Sequence, residues 1–448
     1  MQDLVHRSAV TLAGLIRTRQ VSATEVLTAH LERIAVANPL LNALVQPAGE
    51  AALAEARQLD ADLARGLLRG PLHGVPFSVK DWIETAGLVC AAGDERRRDF
   101  VPDHDATAVA RLRSAGGILL GKTNVTITNP VYGRTNNPYD TGRSPSGSSS
   151  GEAALIASGG SPLGLGSDSG GSIRTPAHAC GIAGLKPTTG RVPLTGHAPP
   201  ISALNDPRTT IGPMARFVED LALGLELIGG PDGRDPSAVP VPLGDWRMVD
   251  LSTLRVATYS RHEGAEPGPD CAAAAVAAAQ ALASVTRRVD EVLPPHIGDT
   301  YRITRDYWRR PESEEADRWV PDGPAALSSE RVEEHLFEWD RFRRALLAFM
   351  GEYDVIVTPA AELPAQPHGA DEGGIAYTLA YSLTGYPAAV GRTGTTAEGL
   401  PVGVQVVGRP WRDDVVLAVA ASLELQFGGW RPPDPGSADV PPSAQPDS

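Results

Sequence analysis

Lysine is nearly absent from this sequence. Of its 40 lysine and arginine residues three are lysines, which leaves 37 arginines. Arginine stays protonated in a protein, whereas a buried lysine can lose its proton and act as a base. Lys80, Lys122 and Lys186 are therefore candidates for positions at which arginine cannot serve. The alternative that these lysines serve only in packing stays open at this point.

Positive net charge, long apolar runs and clustered cysteines are also missing. A formal net charge of -14 argues against a nucleic-acid partner, because phosphate binding requires clustered positive surface. No apolar run approaches the roughly 20 residues of a membrane span. Arg7 and Arg17 interrupt the apolar positions of the N-terminal segment, which therefore reads as an amphipathic helix and not as a signal peptide. Cys90, Cys180 and Cys271 lie far apart without zinc-site spacing, so we expect a cytoplasmic protein that binds no metal.

Short strands alternate with helices along the first half of the chain. Ser22 and Glu25 form a capping-box pattern that begins a helix expected to run to about Ile34. Residues 74–82 (GVPFSVKDW) and 161–168 (SPLGLGSD) predict strands, the second of them buried. The alternation predicts an α/β fold with helices on both faces of a sheet.

The second half is less regular. Proline-rich segments follow residue 232, and residues 301–339 form an acidic, aromatic region. Residues 353–360 and 401–408 predict strands that could rejoin the sheet, and residues 428–448 predict a disordered tail.

Three short motifs match catalytic patterns but lack the context that each chemistry requires. Residues 116–123 (GGILLGKT) fit the P-loop pattern, yet the loop itself reads as a strand preceded by a helix. Residues 168–171 (DSGG) resemble the nucleophile motif of trypsin-like proteases, but no histidine lies in a matching motif. Residues 147–151 (GSSSG) fit the nucleophile elbow, but a polar loop precedes them instead of a buried strand.

A much longer match gives another interpretation. Residues 144–191 (SPSGSSSGEAALIASGGSPLGLGSDSGGSIRTPAHACGIAGLKPTTGR) resemble the signature segment of the amidase signature family. The flanking motifs GPLHGVPFSVKDWIET, GRTNNPYDTGRSP and GLPVGVQVVG extend the resemblance over residues 5–427 in outline, most closely over 70–200 and least over 232–345. The segment looks more similar to the fatty acid amide hydrolase branch than to the amidotransferase branch. The resemblance implies one large α/β domain over residues 1–427, with a central mixed β-sheet covered by helices on both faces.

The resemblance also implies a role for particular residues. Ser172 corresponds to the nucleophile, Ser148 to a proton-shuttling serine in a rare cis peptide, and Lys80 to the ultimate base. The implied oxyanion hole consists of the backbone amides of Ser169, Gly170, Gly171 and Ser172.

General chemistry gives reasons for these roles. A serine hydroxyl needs an activating base, and burial can lower the pKa of a lysine until it serves as one. Strand alternation directs Lys80 and Asp81 to opposite faces, so Asp81 need not hold the charge on Lys80. Gly170 and Gly171 allow the backbone to approach a substrate, so that N–H groups can point at a developing oxyanion.

Supporting residues surround these groups. We expect Asp168 and Arg174 to tie the nucleophile loop together, and Lys122 and Lys186 to be structural. Ser149 is a further supporting residue that could compete with Ser148 for the shuttle role.

The loop departs from the usual family pattern of this region at two positions. Ser146 and Ser150 stand where the family commonly has glycine, which leaves the shape of the pocket open.

The sequence therefore predicts a hydrolase that cleaves the C–N bond of a small carboxamide through a Ser172 acyl-enzyme, without a cofactor. Esters, anilides and carbamates remain open as substrates, because all form a tetrahedral oxyanion. The alternative is the amidase component of a tRNA-dependent amidotransferase, and a homodimer is left open. We expect pocket walls from residues 124–133, 301–339 and 381–389. Trp308, Trp319 and Trp339 are either substrate-facing or part of a packed cap.

Overall fold

An eleven-stranded mixed sheet forms the centre of the molecule. The computed structural model describes residues 4–433, apart from residue 127 and residues 202–205, 308–311, 314–320 and 323–326. The α-helices in this part are α1 (Ala9–Arg17), α2 (Ala23–Leu41), α3 (Glu50–Ala64), α4 (Thr107–Ser114), α5 (Ser150–Ala157), α6 (Arg174–Cys180), α7 (Val218–Ile228), α8 (Pro269–Ala283), α9 (Thr300–Tyr307), α10 (Ser329–Glu352), α11 (Ala376–Leu383) and α12 (Asp413–Phe427). The strands are β1 (Leu44–Pro47), β2 (Pro76–Lys80), β3 (Ile118–Thr123), β4 (Thr128–Asn129), β5 (Gly133–Arg134), β6 (Leu163–Asp168), β7 (Ala183–Lys186), β8 (Thr210–Ala215), β9 (Arg255–Thr258), β10 (Arg288–Glu291), β11 (Glu312–Ser313), β12 (Pro321–Asp322), β13 (Val355–Pro359), β14 (Ala388–Thr395) and β15 (Pro401–Gly408).

The order of the strands confirms the predicted mixed sheet. The order is β1-β3-β2-β6-β8-β7-β14-β15-β13-β9-β10, while β4 with β5 and β11 with β12 form separate two-stranded pieces. Strand β2 lies parallel between β3 and β6, and β9 lies parallel between β13 and β10. In the part of this order that runs from β6 to β13, each strand is antiparallel to its neighbour. The edge pair β1–β3 is also antiparallel. The chain therefore forms one α/β domain.

Helices cover both faces of this sheet. Val355 and Val357 of β13 pack into one hydrophobic cluster, whereas Ile356 between them packs into another on the opposite face. Because neighbouring side chains of a strand point to opposite faces, a strand that is apolar at every position must be buried on both. No helix among the described residues is long and apolar enough to cross a membrane.

The first helical region differs from its prediction in two respects. The Ser22–Glu25 capping box is present, with Ser22 Oγ accepting from the Glu25 amide at 3.0 Å and a Glu25 carboxylate oxygen accepting from the Ser22 amide at 2.8 Å. Helix α2 continues beyond Ile34 to Leu41 and ends where Asn42 takes a left-handed conformation. Strand β1 then follows, which the sequence pattern did not predict. It has four residues and lies at the sheet edge, so its alternation is too short to recognise.

The first residues of the predicted tail pack against the domain. The expected boundary at Gly428 is wrong, because Trp430 is buried and donates from Nε1 to the carbonyl of Ala157 at 3.1 Å. A large apolar ring with a satisfied N–H holds this part of the chain against the domain. Residues 434–448 lie outside the described residues.

The parallel strands bring chemically active residues to one edge of the sheet. Lys80, Thr123 and Asp168 are the last residues of β2, β3 and β6. Because the carboxyl ends of adjacent parallel strands meet at the same edge, the loops that follow them converge there. The segments containing Ser148 and Ser172 lead into α5 and α6 beside this edge.

The P-loop pattern has a structural explanation. Gly121 lies inside β3 with φ +144°, at the point where the register with β2 shifts. A Cβ atom at this position would lie 2.2 Å from the carbonyl oxygen of Gln46 in β1. The glycine permits a bulge and a close strand approach, so it does not form a phosphate-binding loop.

Gly121→Ala tests this close approach. We expect the free energy of unfolding to fall by about 2–4 kcal/mol, because the added methyl group meets a backbone carbonyl and the φ angle is unfavourable. The measurement is urea unfolding followed by circular dichroism. Gly66→Ala is the matched control, since Gly66 has φ +80° but nothing within 4 Å of the new atom. Equal losses in the two variants would contradict the close approach as the cause.

Candidate active site

Lys80 and Ser148 form the centre of the site. The Lys80 amine lies 2.7 Å from Ser148 Oγ and donates to the carbonyl of Ser167 at 3.1 Å. The peptide bond between Gly147 and Ser148 is cis, as the resemblance implied. A neutral amine has two N–H groups and one lone pair. It can therefore donate to the Ser167 carbonyl while its lone pair accepts the Ser148 proton.

The surroundings of Lys80 favour this neutral form. The side chain is completely buried, and burial lowers its pKa to about 7, while the carboxylates of Asp168 and Glu152 act in the opposite direction. The amine also lies 4.3 Å from the ring centroid of Trp82. Near neutral pH a substantial share of the molecules then carries an uncharged amine.

Asp81 faces away from this amine, as strand alternation predicted. Its carboxylate accepts from the amide of Ala92 at 2.8 Å and lies 3.9 Å from the Lys122 amine. Burial raises the pKa of Asp81 to about 6, and Lys122 acts in the opposite direction. The charge of Asp81 is therefore directed to Lys122 and not to Lys80.

The other two lysines are also fully buried but contact no serine hydroxyl in the described hydrogen bonds. Lys122 donates to the carbonyl of Ile83. Lys186 donates to the carbonyls of Tyr386 at 3.0 Å and Pro187 at 3.2 Å. Burial lowers the pKa of Lys186 to about 7, the same value as for Lys80. A lowered pKa is thus common to two lysines, and the adjacent hydroxyl distinguishes Lys80.

Ser172 lies beside the Ser148 loop. The amide of Ser149 donates to the carbonyl of Ser172 at 3.2 Å, and Thr175 Oγ1 donates to the carbonyl of Gly147 at 3.2 Å. Both Ser148 and Ser172 are partly exposed, whereas Lys80 is enclosed. These contacts place two accessible serines on adjoining loops above one buried amine.

The serines of the serine-rich loop differ in their contacts. Ser149 is buried and its hydroxyl donates to the carbonyl of Ser167 at 3.4 Å, so it is Ser148 that contacts Lys80. Ser146 has φ +61°, the left-handed conformation that glycine adopts most easily. Ser150 is the first residue of α5 and donates to the carbonyl of Thr126 at 2.6 Å. The loop therefore accommodates both serines, Ser146 in a conformation that favours glycine and Ser150 with its hydroxyl bonded to a backbone carbonyl.

The amides proposed for the oxyanion hole are not equivalent. The amide of Gly171 already donates to a carboxylate oxygen of Asp168 at 2.8 Å. The proposal therefore rests on the amides of Ser169, Gly170 and Ser172. Thr378 Oγ1 of α11 donates to the carbonyl of Gly170 at 2.5 Å, which fixes the direction of this peptide unit.

The ion pair of Asp168 and Arg174 supports this loop from the protein interior. Both are completely buried, and their ion pair has an N···O distance of 2.9 Å. Burial acts to raise the pKa of Asp168, but Arg174 outweighs it and the pKa falls to about 2. Arg174 also donates to Gln405 Oε1 at 2.6 Å and Ser382 Oγ at 2.7 Å. The pair ties the nucleophile loop to α11 and β15.

Two buried histidines lie near the loops without contacting either serine in the described hydrogen bonds. Both ring nitrogens of His178 lie 3.1 Å from backbone carbonyls, those of Gly403 and Leu363. His197 Nε2 lies 3.1 Å from Ser167 Oγ, and burial lowers the pKa of His197 to about 4. Both imidazoles are therefore structural, which agrees with a lysine as the base. Within the described residues, no group of three or more His, Cys, Asp or Glu side chains is placed to hold a metal ion.

Sequence reasoning missed Glu152. This carboxylate is completely buried in α5 and accepts from Ser78 Oγ and from Thr123 Oγ1, the latter at 2.7 Å. Burial raises its pKa to about 7. A signal was present, because Glu152 is the single charged residue of the segment GEAALIAS.

The aromatic residues of the predicted pocket wall belong largely to the core. Trp339 is buried, packs in one cluster with Tyr381 and Tyr386, and donates from Nε1 to the carbonyl of Leu383 at 2.7 Å. The packed-cap interpretation is therefore correct for Trp339. Trp308 and Trp319 lie outside the described residues.

Comparison with known proteins identifies relatives over almost the whole chain. A family model described as Amidase matches residues 25–309 and 300–417. A glutamyl-tRNA(Gln) amidotransferase component of Acidothermus cellulolyticus is 33% identical over 488 residues, covering 95% of this chain and 95% of that protein. Fatty-acid amide hydrolase 2-A of Danio rerio is 33% identical over 497 residues, covering 97% and 91%. Equal identities mean that overall similarity does not separate these two branches.

Solved structures give the same result for the fold. The structure of 6-aminohexanoate cyclic dimer hydrolase complexed with substrate matches with a TM-score of 0.83 at 28% identity, covering 96% of this chain and 99% of that chain. The fold is thus shared over almost the whole chain.

Asp168→Asn tests the buried support of the nucleophile loop. We expect the free energy of unfolding to fall by about 3–5 kcal/mol, because the Arg174 guanidinium loses its counter-ion while remaining buried. Asp140→Asn is the matched control, since Asp140 pairs with Arg143 at 3.0 Å but is 45% exposed. A surface pair of this kind contributes about 0–1 kcal/mol. Urea unfolding of both variants is the measurement, and similar losses would contradict the role assigned to burial.

Proposed function

Since the chain belongs to the amidase signature family and is an amide-hydrolysing enzyme, we propose that Ser172 attacks the carbonyl carbon of its substrate, with Ser148 and Lys80 as proton relay. The observation that carries this proposal is the buried Lys80 amine 2.7 Å from Ser148 Oγ, on a loop that adjoins Ser172. The partly exposed hydroxyl of Ser172 is available to a substrate, and the enclosed amine is protected from water.

Acylation begins as the hydroxyl of Ser172 gives its proton to Ser148 while Ser148 gives its own to the Lys80 amine. The freed Ser172 oxygen bonds to the carbonyl carbon, and the electron pair of the C=O bond moves to oxygen. Backbone N–H groups of the loop that contains Ser169, Gly170 and Ser172 stabilise this oxyanion. The C–N bond then breaks as the nitrogen takes a proton back through Ser148, and the amine leaves.

Deacylation uses the same relay. A water molecule gives a proton towards Lys80 and bonds to the acyl carbon. The bond to Ser172 Oγ then breaks, Ser172 recovers its proton, and the carboxylic acid leaves. Anilides, esters and carbamates form the same tetrahedral oxyanion, so the proposal includes them as substrates to be tested.

The proposed alternative is the amidase component of a tRNA-dependent amidotransferase. It is favoured by the 33% identity to the Acidothermus cellulolyticus protein. Turnover of a simple amide by the purified chain alone would favour the independent hydrolase. For either function we propose a reducing, cytoplasmic environment, which the three buried free cysteines support.

Alanine variants separate the serines of the two loops. Ser172→Ala and Ser148→Ala are expected to lower kcat for an anilide by at least about 100-fold, because nucleophile or relay is lost. Ser149→Ala is the matched control and should retain most of the activity, since its hydroxyl is directed to the Ser167 carbonyl. Labelling by a fluorophosphonate should disappear in Ser172→Ala. A fully active Ser148→Ala variant would contradict the relay.

The pH dependence follows from the pKa of Lys80. We expect kcat/KM to rise with pH through an inflection near 7, because the neutral amine is the active form and burial lowers the pKa of Lys80 to about 7. Glu152→Gln should move the inflection to lower pH, since the Glu152 carboxylate raises the pKa of Lys80. The measurement is kcat/KM between pH 5 and 9 at constant ionic strength. A flat profile from pH 6 to 9 would argue against Lys80 as the base.

A further inference from the structure

A cleft of about 160 Å³ lies beside the Ser148 loop. One wall consists of Ser144, Ser146 and Gly147, and the opposite wall consists of residues 361, 363–366 and 372–375. Residues 361–375 lie outside the walls expected from the sequence. Clefts for drug-sized ligands measure about 300–1,000 Å³, so this one fits a small substituent and not a long acyl chain.

The cleft borders the two segments that carry the proposed reacting serines. Gly147 directly precedes Ser148, and Thr175, which also lines the cleft, lies one helical turn after Ser172. On the opposite wall Ile375 approaches the oxyanion loop, since a Cβ atom at Gly170 would lie 3.2 Å from Ile375 Cδ1. A substituent of a substrate bound at Ser172 can therefore enter this cleft.

The charged side chain that lines the cleft is negative. Glu372 is the single carboxylate among the described lining residues, and none of these is lysine or arginine. His178 also lines the cleft, but burial lowers its pKa, and the Gly403 amide donates to its Nδ1 at 3.0 Å, as expected of a neutral ring. The neighbouring Arg143 is paired with Asp140 at 3.0 Å and with Glu398 at 2.6 Å.

Among the residues that the structure describes, the carboxylate of Glu372 has serine hydroxyls and no cation as partners. Hydrogen bonds from Ser144 and Ser146 lower its pKa, but burial outweighs them and raises it. A half-buried carboxylate of this kind gains most from a positively charged partner with N–H donors.

Building on the proposed amide hydrolysis, we propose that this cleft binds a positively charged amino group of the substrate, with Glu372 as its counter-ion. The substrate class is then a small amide or anilide that carries an ammonium group on a short aliphatic chain. The serine hydroxyls that now donate to Glu372 would turn their lone pairs to the ammonium N–H groups.

The test compares charged and neutral substrates of equal shape. The 4-nitroanilide of 5-aminopentanoic acid is paired with that of hexanoic acid, in which a methyl group replaces the ammonium group. N-(4-aminobutyl)acetamide and N-pentylacetamide form the corresponding pair for the amine side. We expect kcat/KM of the wild-type enzyme to favour the charged member of at least one pair by about tenfold or more.

The variant Glu372→Gln distinguishes a role of the negative charge from a role in supporting the loop. Glutamine keeps the shape and can still bond to Ser144 and Ser146, so a merely structural role would survive. We expect the preference for the charged substrate to fall about tenfold, through loss on that substrate alone. Glu362→Gln is the matched control, because Glu362 lies on the same segment but does not line the cleft.

The outcomes distinguish this inference from the proposed function. Equal kcat/KM within both pairs, or an unchanged preference in Glu372→Gln, would overturn the role of Glu372 and leave the hydrolase in place. Fluorophosphonate labelling of Ser172 without turnover of either charged substrate would also overturn the inference alone. Absence of both labelling and turnover would overturn the proposed function itself.

Discussion

The burial of one amine at the carboxyl end of β2 is the constraint on which the site depends. Water would keep Lys80 protonated, and a protonated amine cannot take a proton from Ser148. The fold removes water from Lys80 by covering both faces of the sheet, while the Ser167 carbonyl occupies one of its N–H groups. The same covering layers that stabilise the domain therefore lower the pKa of Lys80, as the proposed relay requires.

The partners of the buried charged residues, and not their pKa values, distinguish the roles of these residues. Burial lowers the pKa of both Lys80 and Lys186 to about 7. The Lys80 amine contacts a serine hydroxyl, whereas the Lys186 amine donates to backbone carbonyls. Asp168 has Arg174 as its partner and Asp81 has Lys122, so neither is a close ion-pair partner of Lys80. A carboxylate directly bonded to the amine would hold it charged.

The alternation of strands and helices, a local signal, predicted the α/β fold, whereas the resemblance to the amidase signature family indicated the residues that meet at the sheet edge. Lys80, Ser148, Asp168 and Arg174 lie where the motifs placed them. The edge strand β1 and the burial of Trp430 were missed, since both depend on contacts with distant segments. The partner of the Gly171 amide and the wall containing Glu372 were not predictable either, because side-chain direction and the approach of residues 361–375 are decided by tertiary packing.

The enclosure of all three lysines has a consequence for the exterior of the protein. Every side-chain cation that meets solvent is then a guanidinium or an imidazolium, and no lysine amine is open to the medium. A guanidinium is a poor nucleophile at neutral pH because it stays protonated. Amine-selective labels would therefore leave the side chains of its folded surface largely unmodified.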